Sequence, residues 1–218
     1  MTEPLAALSD IPPDALPAVH RIENTPAEEA HPMIAEMVHS VYPHDQIYGD
    51  YCTLQGFVAA PARQVYDYLA HTRSLEEWTF SLRGFAPVGD DGLWLGKDLL
   101  GNGDTDIYTR TRACPDAMTV DYHCAWDQGE HLWMIYLMRV VDAQVVLDKP
   151  GSVVLWTNCH HPFYDRNPFP EKALPGRDAW VGDYWDVFYP GHRLELDNLT
   201  QICEYRHAHG LPLTPAGL

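Results

Sequence analysis

The sequence predicts an α+β fold in which a curved antiparallel sheet wraps around one long C-terminal helix and leaves a cavity between them. Three features predict it. A first strand is followed by two short helical stretches, six closely spaced strand-like stretches come next, and a helical period then covers residues 183–209. A sheet with one apolar face must be covered, and the last helix supplies that cover.

Residues 1–50 are predicted to form an N-terminal arm with one short helix, ahead of a ligand-binding domain that spans residues 51–218. Residues 1–24 contain four prolines and keep no regular apolar period. A capping box at residues 25–28, with proline at the first helical position, then predicts the start of the helix.

The domain itself begins with a predicted strand at residues 51–58, and Pro61 and Ser74 start the two short helices after it. Six further strands are predicted at about residues 83–88, 93–100, 105–112, 117–126, 131–147 and 152–160. Their connections are too short for parallel crossovers, so we expect antiparallel hairpins. The strand that begins at residue 131 is apolar on both faces, which favours a second cover from the N-terminal helix or from the partner of a homodimer.

Composition excludes several classes of function. The formal net charge is −17, from 31 acidic and 14 basic residues, and no basic cluster suits nucleic acid or anionic lipid. The five cysteines are dispersed without C-x-x-C spacing, which argues against disulfides and zinc ribbons. We see no leader, no spanning segment and no phosphate or dinucleotide motif, so we expect a cytoplasmic protein without a cofactor.

Residues 58–69, Val-Ala-Ala-Pro-Ala-Arg-Gln-Val-Tyr-Asp-Tyr-Leu, and residues 75–78, Leu-Glu-Glu-Trp, resemble the opening of the SRPBCC superfamily. That superfamily contains START-type lipid-transfer domains, birch-pollen-allergen-like proteins and polyketide cyclase/dehydrases. The resemblance covers about residues 51–208 and implies a helix-grip fold with a cavity for a hydrophobic ligand. The N-terminal arm and the proline-rich loop at residues 162–175, which we expect to be a lid or rim, depart from the minimal pattern.

The turns predict which face of the sheet lines the cavity. With two-residue turns at 102–103 and at 115–116, position 98 pairs with 107 and Arg110 pairs with Asp121. The charge-matched face is assigned to solvent, although a one-residue slip would invert the assignment. The predicted cavity face carries Trp94, Asp98, Ile107, Thr109, Thr111, Val120, Tyr122, Cys124 and Trp126.

His192 is the first candidate for chemistry because it lies on the apolar stripe of the last helix. An imidazole is the side chain best suited to proton transfer near neutral pH, and Glu195, one turn on, is placed to orient it. A satisfied structural histidine is the alternative interpretation.

His160 and His161 follow the last predicted strand at the expected mouth of the cavity. Strand alternation lets only one of them point inward. His161 is preferred because it shares parity with the apolar Val153 and Leu155, although Trp156 favours the opposite parity. An exposed loop entrance is the alternative.

Three functions remain open. The first is a cyclase/dehydratase-type enzyme, a lyase or isomerase, in which His192, His161 and Tyr122 move protons and Glu195 or Asp98 orients or accepts. Its substrate-binding walls would be Trp94, Asp98, Trp126, Tyr136, Trp156 and Trp185. The second is a carrier of an apolar metabolite. The third is a zinc-dependent hydrolase that cleaves carbon–carbon bonds, with His160 or His161, His192 and Glu195 as ligands. No recognised metal-ligand spacing is present, but the resemblance keeps this function open, since some related hydrolases use zinc.

Overall fold

The computed structural model describes residues 11–12, 15–26, 28–30, 32–34, 36, 51–100, 105–126, 131–166, 169–172 and 185–213. Its strands are β1 (Tyr51–Val58), β2 (Leu82–Val88), β3 (Leu93–Asp98), β4 (Thr105–Cys114), β5 (Thr119–Trp126), β6 (Met134–Asp142) and β7 (Ser152–Cys159). Its α-helices are α1 (Ala62–Leu69), α2 (Leu75–Trp78), α3 (Ala143–Leu147) and α4 (Trp185–Ala208). The described residues from 28 to 36 are helical too, and the expected domain boundary at residue 50 lies outside the described residues.

The seven strands form one antiparallel sheet in the order β1-β7-β6-β5-β4-β3-β2. β1 and β2 are consecutive strands in the chain but lie at opposite edges, and α1 and α2 connect them across one end of the sheet. Helix α4 packs on the concave face. The predicted α+β helix-grip fold is therefore confirmed.

Strand β6 differs from the prediction at its C-terminal end. It stops at Asp142, and residues 143–147 form helix α3 instead of continuing the strand. The Asp142 carboxylate accepts a hydrogen bond from the Gln144 N–H at 2.9 Å, which caps the helix. The outward Leu137 of β6 is 42% exposed, so the described residues do not give β6 the second cover that we expected. The other strands begin and end within two residues of the prediction.

The two halves of α4 meet the sheet differently. In the C-terminal half, Leu196, Leu199, Ile202 and Cys203 are completely buried in the main core. Gly56 of β1 allows this approach, because a Cβ built at that position would lie 3.3 Å from Leu196 Cδ2. The N-terminal half stands over the pocket described below.

Buried charges join the sheet-covering elements. Arg206 at the end of α4 is fully buried, and its Nη2 donates to both carboxylate oxygens of Glu77 at 2.7 and 3.0 Å. The Tyr68 hydroxyl of α1 donates to the same carboxylate at 2.7 Å. Because both oxygens of Glu77 are bonded, this ion pair fixes α1, α2 and α4 relative to one another.

The N-terminal arm packs across the same region. The Asn198 side chain accepts a hydrogen bond from the backbone N–H of His20 at 3.0 Å and donates to the His20 carbonyl at 2.7 Å. Arg21 donates to the Glu76 carbonyl at 2.9 Å, and the Gln201 side chain donates to the Ala18 carbonyl at 3.2 Å. The arm is thereby bonded to both α2 and α4.

Gly56→Val should destabilise the fold by about 2 kcal/mol, the scale of overpacking a tight contact. The new side chain would displace Leu196 from β1. Gln55→Val on the outer face of the same strand is the matched control and should change stability little. Urea unfolding followed by circular dichroism measures both variants, and equal stabilities would contradict the close approach of α4 to β1.

Candidate functional site

The pocket lies between the N-terminal half of α4 and the concave face of the sheet, and its volume is about 140 Å³. Sheet side chains form its floor: Ile107, Tyr122, Cys124, Trp126, Tyr136 and Trp156. Phe188, His192 and Glu195 of α4 form the roof, and Ile34 of the N-terminal segment closes one side together with Phe80 and Leu100. The walls are mostly apolar, as expected for a small-molecule site.

The sheet brings the predicted face inward although the predicted register is wrong. Asp98 pairs with Thr105 rather than with position 107, and Arg110 pairs with His123 rather than with Asp121. In the β4–β5 connection four residues rather than two separate the paired Cys114 and Thr119, and that pairing shifts by two positions. The β3–β4 pairing is also shifted by two positions. Side chains alternate with a period of two, and a shift of two therefore preserves the faces.

His192 lies in an aromatic box on the pocket wall. Its ring stacks on Trp156 with a centroid distance of 4.5 Å and an interplanar angle of 22°. Tyr136 meets it edge-on at 5.5 Å, and Phe188 lies 5.1 Å away. Only 12% of the His192 side chain is exposed. These contacts hold the imidazole plane in one orientation.

Glu195 determines which nitrogen of the His192 ring carries the hydrogen. The His192 Nδ1 lies 3.3 Å from Glu195 Oε2, and the other oxygen, Oε1, accepts a hydrogen bond from the Phe80 N–H at 2.9 Å. An ionised carboxylate can only accept, so Nδ1 carries the hydrogen of its bond. In the neutral imidazole Nε2 is then the unprotonated nitrogen. Nε2 is buried and has no hydrogen-bond partner among the described residues.

Tyr122 contributes its ring to the pocket but not its hydroxyl. The hydroxyl donates to the Leu69 carbonyl of α1 at 2.6 Å, and burial raises the pKa of Tyr122. A group that is bonded in this way and hard to ionise is poorly placed to exchange protons with a ligand. The catalytic role that we expected for Tyr122 therefore gains no support from its geometry.

Asp98 reaches the pocket as expected, beside Ser81. It is buried, and its Oδ1 accepts hydrogen bonds from the Ser81 hydroxyl at 2.6 Å and from the Leu100 N–H at 3.0 Å. These bonds anchor the carboxylate at the edge of β3. Asp98 thus forms a second polar point in the pocket, apart from the His192–Glu195 pair on α4.

The parity expected for β7 is wrong. Ser152, Val154, Trp156 and Asn158 face inward, whereas Val153, Leu155 and Cys159 face outward. The apolar outward residues produced the error, since the outer face of this strand is not purely polar.

His161 is consequently not part of the pocket lining. Its Nδ1 accepts a hydrogen bond from the Phe163 N–H at 3.1 Å and caps the short 3-10 helix at Pro162–Tyr164. His160 instead stacks on Trp185 at 4.3 Å, and its Nε2 lies 3.0 Å from Asp165 Oδ1. His161, which we expected to move protons together with His192, therefore caps a local helix outside the pocket lining.

Two other predicted wall residues lie outside the pocket lining. Trp94 is half-buried and packs against the main core from β3. Trp185 is buried against Tyr164 and Phe188 at the start of α4. None of the described residues of the proline-rich loop lines the pocket, and the rest of that loop lies outside the described residues.

Sequence reasoning missed the contribution of Phe80 and Ile34. Phe80 follows α2 and packs with Ile34, Ala30 and Leu194 in a small separate cluster. The helical spacing of Ile34 marks it only as apolar, and nothing in the local sequence of Phe80 reveals that its backbone N–H meets Glu195.

The described residues contain no group of three His, Cys, Asp or Glu side chains that could hold a metal ion. The zinc alternative needs His160 or His161 beside His192 and Glu195, and the bonds of those two histidines hold them elsewhere. Within the described part of the chain, no helix is long and apolar enough to cross a membrane.

Comparison with known proteins identifies relatives in structure only. No family model and no curated protein sequence matches this chain at a significant level. The Zhui aromatase/cyclase from Streptomyces sp. R1128 is similar in structure, with a TM-score of 0.52, 16% identity, and coverage of 74% of this chain and 98% of that one. XoxI from Bacillus cereus has a TM-score of 0.51 and 12% identity over 71% of this chain and 95% of its own. At these identities the similarity shows that the helix-grip fold is shared.

Tyr122→Phe should lower the free energy of unfolding by about 1 kcal/mol, because the Leu69 carbonyl loses its hydrogen-bond donor. Binding of 1-phenyl-1,3-butanedione, followed by quenching of tryptophan fluorescence, should stay within twofold of wild type. Loss of binding at unchanged stability would show instead that the hydroxyl contacts the ligand.

Proposed function

We propose that this protein is a cyclase/dehydratase-type enzyme that acts on a small, largely apolar aromatic or polyketide-like intermediate. The intermediate would occupy the pocket under α4, and His192 would act as general base and then as general acid. One observation carries the proposal: the pocket wall holds an imidazole whose Nδ1 is bonded to Glu195 and whose Nε2 has no bond among the described residues.

The pair suits proton abstraction from a carbon between two carbonyl groups. Nε2 of neutral His192 takes the proton, and the electrons of the C–H bond become an enolate. Glu195 stabilises the imidazolium that forms, because its carboxylate faces the Nδ1–H. The enolate carbon can then attack a second carbonyl carbon of the same molecule, and Nε2–H returns the proton to the resulting alkoxide. A dehydration would need a second cycle: Nε2 takes the remaining proton of the same carbon, a C=C bond forms as the C–O bond breaks, and Nε2–H gives that proton to the departing hydroxide, which leaves as water.

The pocket supports a guest of limited size. A cavity of roughly 150 Å³ lined by apolar side chains is enough to bind benzene, and the present volume is about 140 Å³. This volume favours one ring over a polycyclic guest. The ring edges and faces of Trp126, Tyr136 and Trp156 would hold such a ring and orient its substituents.

A carrier of an apolar metabolite is the second candidate, and one observation favours it. The Tyr122 hydroxyl is bonded to the backbone and Asp98 is bonded to Ser81, so His192 and Glu195 are left as the acid/base pair. A pocket with a single such pair can bind without transforming its guest.

His192→Ala and His192→Gln should each slow catalysed exchange of the central protons of 1-phenyl-1,3-butanedione in D₂O about a hundredfold, the usual scale of general acid–base catalysis. Glutamine can hold a hydrogen bond but cannot shuttle a proton. Proton NMR measures the exchange, and quenching of tryptophan fluorescence measures binding of the same compound.

The control is Gln201→Ala, a half-buried substitution on the same helix that should leave both quantities unchanged. If the wild-type protein binds the diketone without accelerating exchange, the carrier function is correct. If both His192 variants exchange at the wild-type rate, His192 is structural and the proposed mechanism is wrong.

A further inference from the structure

Oε1 of Glu195, the oxygen that does not contact His192, is bonded to a backbone segment that also makes hydrogen bonds with the N-terminal arm. Oε1 accepts from the Phe80 N–H at 2.9 Å. The carbonyl of the same peptide unit, that of Thr79, accepts from Nη1 of Arg83 at 3.1 Å. The segment between α2 and β2 thus connects the pocket carboxylate on one side with a buried guanidinium on the other.

Arg83 is completely buried, and Glu23 of the arm neutralises it. Nε and Nη2 of Arg83 donate to Oε1 and Oε2 of Glu23 at 2.5 and 2.7 Å, a two-bond pairing. The remaining donors bind the carbonyls of Thr79, Phe80 and Leu82. Burial alone would raise the pKa of Glu23, but the bond and charge of Arg83 outweigh it and hold that pKa below its usual value.

A second contact from the arm acts on the same segment. The Ile22 N–H donates to the Phe80 carbonyl at 3.0 Å, beside the bond from Arg83 Nη2. Both carbonyls that flank the Phe80 residue are therefore tied, one by Arg83 alone and one by Arg83 and the arm. With its neighbours fixed, the Phe80 N–H can point in only one direction, toward Glu195.

We propose that Glu23 and the backbone of Ile22 are positioning residues that, through Arg83 and the Thr79–Phe80 peptide, orient Glu195 and set the tautomer of His192. The inference rests on the proposed function only for the expected effect on the exchange rate. The effect on the tautomer does not require enzyme activity: docking of the arm determines which nitrogen of His192 carries the hydrogen. Hydrogen bonds in such a chain polarise one another, so loss of the first should weaken the last.

The test reads the His192 ring directly. Nitrogen-15 NMR of the histidine side chains distinguishes the Nδ1–H from the Nε2–H tautomer, and comparison with His192→Gln assigns the signal among the 12 histidines. Wild type should show the Nδ1–H form. Glu23→Gln should shift the His192 ring toward the Nε2–H form and lower the rate of proton exchange of 1-phenyl-1,3-butanedione about tenfold. The affinity of the variant for that compound should stay within twofold of wild type.

Gln201→Ala is the matched control, because it removes another contact of the arm, that with Ala18, without touching the Thr79–Phe80 peptide. Glu23→Gln leaves a buried guanidinium without its counter-charge, and thermal unfolding will show whether it folds. If it does not, the double variant Glu23→Leu/Arg83→Met replaces the pair with apolar side chains and must show the same change of tautomer.

A folded Glu23 or double variant whose His192 keeps the wild-type tautomer would overturn the inference. This failure is distinct from failure of the proposed function. A shifted tautomer in a protein that never accelerates exchange leaves the positioning role intact and rejects the enzyme. If the wild type accelerates exchange but the variants keep its tautomer, the positioning role is rejected and the enzyme function stands.

Discussion

The structure depends on the way one helix packs on a curved sheet. Where α4 is closely packed, Leu196 approaches the backbone of β1 at Gly56 and the interior is solid. One to two turns earlier, the sheet curves away from the helix and the gap becomes the pocket. His192 and Glu195 lie at this transition, within one turn of the closely packed Leu196 and on the wall of the pocket. Position along α4 thus decides which side chains are core and which are site.

Buried charge fixes the elements around this helix. Glu77 and Arg206 join α2 to the end of α4, and Glu23 and Arg83 join the arm to the start of β2. Such pairs contribute little net stability, since desolvation offsets much of their attraction. Their effect is geometric, because the two-bond contacts between Arg206 and Glu77 and between Arg83 and Glu23 form only when the elements that carry them lie in this arrangement. The ion pairs therefore define the relative positions of the elements around the pocket more closely than apolar contacts of the same volume would.

The fold was predictable because it depends on period and on element order. Strand pairings shifted by two positions from those expected, yet Tyr122 and Trp126 still face inward, since a period of two ignores an even shift. The pocket positions of His192 and Glu195 were predictable from helical spacing, and that of Asp98 from strand alternation. His161 was placed wrongly because β7 carries apolar side chains such as Leu155 on its outer face. The role of the Phe80 N–H was not predictable, because a backbone donor leaves no trace in residue identity.

The contacts of His192 also suggest a reason for the carboxylate of Glu195 beside it. A carrier pocket does not need Glu195 for proton transfer, and removing both side chains from water has a cost that apolar replacements would avoid. That cost is offset if the carboxylate is needed to hold one tautomer and to stabilise a transient imidazolium. The hydrogen bond from the Phe80 N–H serves the same purpose, because it restrains Oε1 of Glu195, the oxygen that does not contact the ring. An imidazole that only filled space would need neither restraint, so the pairing of ring, carboxylate and fixed backbone donor argues for proton transfer over passive binding.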